Sequence, residues 1–317
     1  MTAAIEVRGV RATTHTLYVA SWARELLREH DRVLIVDRDR PPTGSAHGPV
    51  TWRLPRGASI AVVDEPPSSV DRVDAVHVGS PALRHWRRRA AERRHGTSIV
   101  VDEGLGSYGS VRSRLGALRR EGAGRASATA KAIARSAALA RSTRWPTYRA
   151  EGGTWRVNPM VAATFREAAD EAVPNDDVVL LSQPWTALGL ADEATARRAL
   201  DEIRRSVSGA GLRLVVRPHP WDHPDRFAEL PTLPGGLPAE LHPEIRGARM
   251  VLGETTTALI NLAAIFGVPA ARVELPIDAA PLARDQQALL TTFVGPAVPT
   301  SELTEVIRRG GQERRGS

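Results

Sequence analysis

The chain has 317 residues, 42% of them hydrophobic, with 43 basic and 36 acidic side chains and a formal charge of +7. That length suits two domains of ordinary size. The lack of cysteine excludes a disulfide framework and a thiolate zinc site, and no apolar run reaches the roughly 18–20 residues of a membrane helix. Lys131 is the only lysine, so arginine carries the positive charge. Aromatic residues make up 4% and form no ladder among the arginines, which disfavours a single-strand nucleic-acid platform. The N-terminus, MTAAIEVRGVR, lacks the apolar stretch of a secretory signal, and a soluble cytoplasmic protein is expected.

Taken in chain order, short apolar runs alternate with longer helical patterns. IEVRGV is a predicted strand, TLYVASWARELLREH a helix and RVLIVD a strand. ASIAVVDE and AVHVGS are further strands, ALRHWRRRAAERRHG a helix closed by Gly96, and SIVVDEG a buried strand. Residues 111–150 hold nine arginines and Lys131 against one acid, Glu121, and are expected as exposed helix plus loop. The alternation then restarts. NPMVAATFREAADEAV is a helix, DDVVLLSQP a strand, DEATARRALDEIRRSV a helix, LRLVVRPHP a strand, ARMVLGE a strand, TTALINLAAIFG a helix and PAARVEL a strand. Strands separated by helices imply parallel sheets with crossovers. The restart divides the chain into an α/β half over 1–168 and another over 169–317, with a single large doubly wound sheet as the alternative.

The segment G-L-G-S-Y-G contains Gly104, Gly106 and Gly109 and matches a dinucleotide fingerprint. Such a fingerprint opens the first strand–helix unit, with an acid about 20 residues on to hold the ribose. Here it lies a third of the way into the chain, and the next acid, Glu121, comes too soon. Asp102 and Glu103 would also repel a pyrophosphate, by about 1 kcal/mol per pair at ~4 Å in water and more in a poorly hydrated cleft. The two acids suit a different task. At the carboxyl end of a strand, a carboxylate can take a proton from an attacking hydroxyl. Gly104 and Gly106 let the backbone turn and a substrate approach closely. The plainer reading of these acids is a cap on the following helix.

Two further motifs lie in the second half. VVRPHPWDHP ends a strand with Arg217, Pro218, His219 and Pro220, and the flanking prolines fix the backbone around His219. A histidine held there can protonate a departing phosphate or neutralise its charge. The prolines forbid a helix, so His219 and His223 do not form the one-face pair of a zinc helix. Thr255, Thr256 and Thr257 stand at a helix start, where hydroxyls and free N–H groups attract anions. Plain N-capping would need only one of them.

Together these elements resemble bacterial sialyltransferases of the GT-B type, in particular the polysialyltransferase-like group. That family carries an acidic D/E-D/E-G motif, matched by Asp102, Glu103 and Gly104, then an H-P motif, matched by His219 and Pro220. A serine/threonine pair follows, matched by Thr256 and Thr257, and a P-x-E setting is matched by Pro238 and Glu240. LLSQP, with Gln183 and Pro184, looks like the loop that opens the donor domain. The likeness spans roughly residues 1–275. It departs in having threonines in place of serines and in being short for the family.

The resemblance implies an α/β GT-B-like fold of two Rossmann-like domains facing each other across a cleft, with an acceptor-side domain over 1–168 and a donor-binding domain over 169–317. The implied reaction is inverting transfer of sialic acid or a related nonulosonic acid from a CMP-activated donor to a glycan or glycolipid acceptor. Asp102 would be the base on the acceptor hydroxyl, with Glu103 as its orienting partner or substitute, beside the loop glycines Gly104 and Gly106. His219, with Thr255, Thr256 and Thr257, would act on the departing CMP. Gln183, Pro184, Arg217 and Pro220 would complete the donor site, and Glu240 would hold the cytidine ribose. No metal or cofactor is expected, since histidine and helix N–H groups offset the phosphate charge. The basic stretch 111–150 could dock an anionic acceptor polymer or a membrane-bound precursor, with peripheral attachment at the inner membrane face, or it is simply a solvated arginine-rich surface. A GT-B enzyme using a UDP- or GDP-sugar is the alternative. An arginine-rich nucleic-acid-binding protein is a second, which leaves Asp102, His219 and the threonines without a role.

Overall fold

The computed structural model describes residues 1–38, 50–55, 57, 59–67, 69–70, 72–79, 97–120, 122–277 and 281–313. The chain divides into two compact units, Met1–Ala168 and Ala169–Ser317.

In the first unit, β1 (Thr2–Arg8) leads through α1 (Thr13–Leu26) to β2 (Arg32–Asp37), β3 (Ile60–Val63), β4 (Arg72–Val78) and β5 (Ser98–Val101). After a 3-10 turn at Leu105–Tyr108 come α2 (Val111–Arg120), α3 (Arg125–Ala140) and β6 (Thr143–Trp145). Then follow β7 (Tyr148–Glu151), β8 (Thr154–Val157) and α4 (Pro159–Ala168). Six strands run parallel in the order β3-β2-β1-β4-β5-β6. Ala3, Ala4, Ile5 and Val7 of central β1 are fully buried, as in a strand covered on both faces. On α1, Leu17, Tyr18 and Ala20 are equally enclosed, and the Tyr18 ring lies 5.3 Å from that of Phe165 on α4. The helix expected over 82–96 lies outside the described residues.

The arginine-rich stretch is more ordered than expected. Helices α2 and α3 pack on each other through Leu118, Ala128 and Ala132. Beyond them, β6 adds an edge strand and β7–β8 form an antiparallel hairpin. Its two loop residues, Gly152 and Gly153, have φ of 57° and 83°, as a primed two-residue turn requires. These strands are three or four residues long and carry arginines, so they lack the apolar run by which a strand is recognised. Helix α4 stops at Ala168, short of the expected Val173. Asp170 and Glu171 would place acids at its negative end, and Pro174 follows.

In the second unit, β9 (Val178–Leu181), α5 (Glu193–Gly209), β10 (Leu214–Arg217), α6 (Pro243–Gly247), β11 (Met250–Gly253) and α7 (Thr257–Phe266) come first. Then follow β12 (Ala270–Glu274), α8 (Arg284–Phe293), β13 (Ala297–Pro299) and α9 (Leu303–Glu313). The parallel order is β10-β9-β11-β12-β13. Alternation along β9 serves two cores. Val178 and Leu180 meet Ile203, Val207, Leu303 and Ile307 on one face, and Val179 and Leu181 meet Ile245, Leu259 and Leu262 on the other.

Both units are Rossmann-like. Each strand order reverses once, between β1 and β4 in the first sheet and between β9 and β11 in the second. Open α/β sheets bind ligands outside the carboxyl ends of the strands at such a reversal.

Candidate active site

The acidic pair leaves the tip of β5 in opposite directions. Asp102 turns inward, and its side chain is 0% exposed. Arg144 donates through one terminal nitrogen to both carboxylate oxygens, at 2.7 and 2.9 Å. The Asp102 N–H reaches the Trp145 carbonyl at 3.2 Å. Burial raises the Asp102 pKa; Arg144, Tyr108 and the backbone at Thr147 oppose that rise. Asp102 thus ties edge strand β6 to β5, and no part of its carboxylate faces solvent. The base role expected of Asp102 requires an acceptor hydroxyl to reach a carboxylate that here is enclosed and paired with Arg144.

Glu103 turns outward and is exposed. Its N–H donates to the Ser107 hydroxyl at 3.0 Å, which fixes the turn. Gly104 makes that turn with φ 104° and ψ −146°, a conformation open essentially to glycine. The Glu103 carboxylate lies over Gly79, at the end of β4, where a Cβ would come within 2.5 Å of Oε2. Gly106 is its other floor, with a Cβ position 3.4 Å from Oε1. The Glu103 carboxylate is thus open to solvent on one side and lies against two glycines on the other. Although its outer side meets solvent, the protein packed behind the Glu103 carboxylate desolvates it and raises its pKa, against the pull of Arg11, Arg135 and Arg114, while Asp102 adds to the rise. Arg11 follows β1 and Gly79 follows β4, so Glu103 stands at the strand-order reversal of the first unit.

In the second unit the loops after β9 and β10 are joined. Ser182, buried, hydrogen-bonds Asp222 and accepts from the His219 N–H at 2.9 Å. His219 is half-buried, and its Nδ1 accepts from the Trp221 N–H at 3.2 Å. Burial lowers its pKa, Arg217 lowers it further, and Asp222 opposes both. Gln183 is half-buried and Pro184 buried in the β9 loop, while Pro220 is exposed beyond His219. Arg217 donates to the Leu237 carbonyl at 2.8 Å.

After β11, Thr256 is the N-cap of α7, and its hydroxyl accepts from the Ala258 N–H at 3.3 Å. Thr255 hydrogen-bonds Glu254, a mostly buried acid whose pKa is raised by that burial, against Arg272 and Thr255. Thr255 and Thr257 are half-buried. Glu240 lies inside. It is 3% exposed, Asn261 of α7 donates to its Oε1 at 2.9 Å, and burial raises its pKa. The ribose contact expected of Glu240 would have to be made by a carboxylate that here is enclosed and bonded to Asn261.

His223 is exposed beside Asp225, and His242 pairs with Glu244 at 2.7 Å. Among the described residues no group of three or more His, Asp or Glu could hold a metal ion, and no helix is long and apolar enough to cross a membrane. Sequence reasoning passed over Asp222, Arg226, Glu254 and Asn261. WDHP and GETTT contain two of the four beside residues that were singled out, and an acid next to a chemical residue at a strand tip was the available signal.

No family model and no curated protein matches this sequence. Among solved structures the chain is similar to a Listeria monocytogenes protein assigned as a UDP-N-acetylglucosamine 2-epimerase. The TM-score is 0.53 at 11% identity, over 98% of this chain and 90% of that one. It is also similar to a UGT transferase from Siraitia grosvenorii in complex with UDP, with a TM-score of 0.47 at 13% identity over 100% and 92%. The glycosyltransferase SnogD from Streptomyces nogalater gives a TM-score of 0.44 at 14% identity over 99% and 94%. The first of these likenesses shows the fold, an α/β chain of two Rossmann-like domains in the GT-B-like class.

Proposed function

We propose that this chain is a glycosyltransferase that moves a sugar from a nucleotide-activated donor to an acceptor hydroxyl. The observation that carries the reading is Glu103, an exposed carboxylate of raised pKa lying against Gly79 and Gly106 at the strand-order reversal of the first unit. In this reading Glu103 is the general base. Asp102, tied to Arg144, holds the loop that presents it. His219, at a strand tip of the second unit, donates to the departing phosphate, and the positive end of the α7 dipole adds to that charge stabilisation.

A UDP-sugar is the preferred donor. A similar structure is of a protein assigned as a UDP-sugar epimerase, and a Glu240 already enclosed and bonded to Asn261 lends less support to the ribose contact of the CMP reading. Transfer of sialic acid or a related acid from a CMP-sugar is the second reading, supported by the presence of His219–Pro220 and Thr256–Thr257 at strand and helix ends of one unit. Thermal shifts with UDP, GDP and CMP separate the two, since a ligand at ~100 times its Kd stabilises the native state by about 2.7 kcal/mol. The matching nucleotide sugar is then supplied with an acceptor panel. Nucleotide release together with a glycosylated acceptor supports transfer. An altered donor sugar with no acceptor product would replace transfer by epimerisation.

A further inference from the structure

The loop carrying His219 is held by a buried ionic network that the proposed reaction does not use directly. Asp222, with a side chain 0% exposed, serves three partners. Its Oδ2 accepts from the Ser182 hydroxyl and, at 3.2 Å, from the His219 N–H. Its Oδ1 accepts from Arg226 at 2.7 Å. Arg226 is itself only 4% exposed, and its other nitrogens bind Glu193, at 3.2 and 2.8 Å, and Thr186. One carboxylate therefore joins the loop after β9, the loop after β10 and the first turn of α5.

The network fixes the main chain on both sides of the imidazole. Pro218 and Pro220 restrict φ, Ser182 and Asp222 hold the His219 N–H, and the Asp222 side chain anchors the turn just after Trp221. The Trp221 N–H is thereby directed at Nδ1, 3.2 Å away. A neutral imidazole has one acceptor nitrogen and one N–H. With Nδ1 accepting, the proton is on Nε2, and adding a second proton at Nδ1 would break the Trp221 bond.

We propose that Asp222 is a positioning residue that, through the Ser182–His219–Trp221 loop, holds His219 as a neutral imidazole presenting Nε2–H as a hydrogen-bond donor. The part about the leaving phosphate rests on the proposed glycosyl transfer; the part about the tautomer does not. Such a donor stabilises a departing phosphate without passing it a proton, so its contribution persists at a pH where an imidazolium would have been lost. The charged groups near the ring are Asp222 and Arg217.

The test uses the full chain labelled with 15N-histidine, with His219 assigned by comparison with His219→Gln. Long-range 1H–15N correlation at neutral pH should show the Nε2–H tautomer in the wild type. Asp222→Asn cannot serve Ser182, His219 and Arg226 together, and its His219 signals should move to the averaged pattern of a free histidine. Ser182→Ala leaves the Asp222–Arg226 pair intact and should move them the same way by less, which covers the case of an Asp222 variant that does not fold. Transfer is then measured in a double-mutant cycle. Asp222→Asn should lower kcat about 10–100-fold in the wild type and have almost no effect in the His219→Ala background. An averaged or imidazolium pattern in the wild type, an unchanged tautomer in both variants, or additive losses in the double mutant would each overturn the proposal. Absence of transfer from every nucleotide sugar would count against the glycosyltransferase reading alone, because the tautomer spectra require no substrate.

Discussion

The carboxylate of Glu103 rests on the backbone of Gly79, with the Gly79 Cβ position 2.5 Å from its Oε2. Gly79 has φ +70°, so Gly79→Ala meets two penalties. The backbone cost is about 1–2 kcal/mol, and the new methyl group displaces the flexible end of Glu103. Activity should therefore fall further than stability, about 10²-fold for a misplacement on the order of 1 Å, with a melting temperature only a few degrees lower. Transfer assays and thermal unfolding on the same preparation check this. Equal, small losses in both would remove the Gly79–Glu103 contact from the chemistry.

The two acids should separate cleanly. Glu103→Gln should lower kcat about 10²–10⁴-fold, the usual cost of losing a general base, with little change in unfolding free energy. Asp102→Asn should act mainly on stability, since it weakens the anchor between β5 and β6. A buried pair broken outright costs about 3–5 kcal/mol. Arg144 is 38% exposed and regains water, so a loss of about 1–2 kcal/mol is expected. The pH dependence of Glu103 has a definite sign. Its folded pKa is raised, so the stability it contributes is present at acid pH and declines as pH rises through the raised value. A base must be ionised, so activity should rise across that same window, and Glu103→Gln should remove both slopes. Urea titrations and kcat profiles over pH 4–8 measure them.

The parts legible in sequence and the parts that were not differ in kind. Strands such as RVLIVD and DDVVLLSQP are buried on both faces, so composition alone marks them. The motif positions at the tips of β5, β10 and β11 follow from those strands. Which of two adjacent acids faces inward depends on Arg144, 42 residues further on, and a one-residue change of phase exchanges the two faces of a strand. The orientation of Glu240 likewise depends on a distant partner, Asn261 from a later helix. The hairpin after β6 has a signal in its Gly152–Gly153 pair, and that signal went unused.

His15 supplies a second pH-dependent element, of opposite sign. It lies at the start of α1, its Nδ1 accepts from the Arg11 N–H at 3.2 Å, and its pKa is lowered to about 4, chiefly by burial, with Arg11 adding and the Gly9 backbone opposing. The folded state therefore resists protonation that the unfolded chain accepts near pH 6.5. Stability from this group is full above that value and is lost as pH falls toward 4, by at most about 3 kcal/mol. His15→Gln should flatten this limb of a denaturant-midpoint profile between pH 4 and 7. Because the same bond holds the turn that carries Arg11, the variant should also lower activity at neutral pH.

The exposed face of α2 and α3 presents Arg112, Arg119, Arg125 and Lys131. If it docks an anionic acceptor, changing Arg112, Arg119 and Arg125 to Glu should raise the acceptor KM and weaken its salt dependence, and leave nucleotide binding unchanged. Kinetics at 50 and 300 mM salt with a charged and a neutral acceptor provide the comparison. Identical KM values for the variant and the wild type would leave these arginines as a solvated surface.

Glu240 separates a supporting role from a ligand contact. Its pKa is raised by burial, and Asn261, also fully buried, donates to it. Glu240→Gln keeps the acceptor oxygen and the volume, and it relieves the cost of a buried charge, so stability should be unchanged or slightly higher. Glu240→Ala leaves the Asn261 amide without its partner and opens a cavity, at about 2–4 kcal/mol. If Glu240 only supports the start of α7, nucleotide affinity should follow stability, near normal in the Gln variant and weakened in the Ala variant. A carboxylate that contacts a ribose hydroxyl would behave differently, because an ionised acceptor bonds about twice as strongly as a neutral one. Calorimetry with UDP and CMP distinguishes the cases, and a tenfold or greater loss of affinity in Glu240→Gln, with its melting temperature intact, would return Glu240 to the donor site.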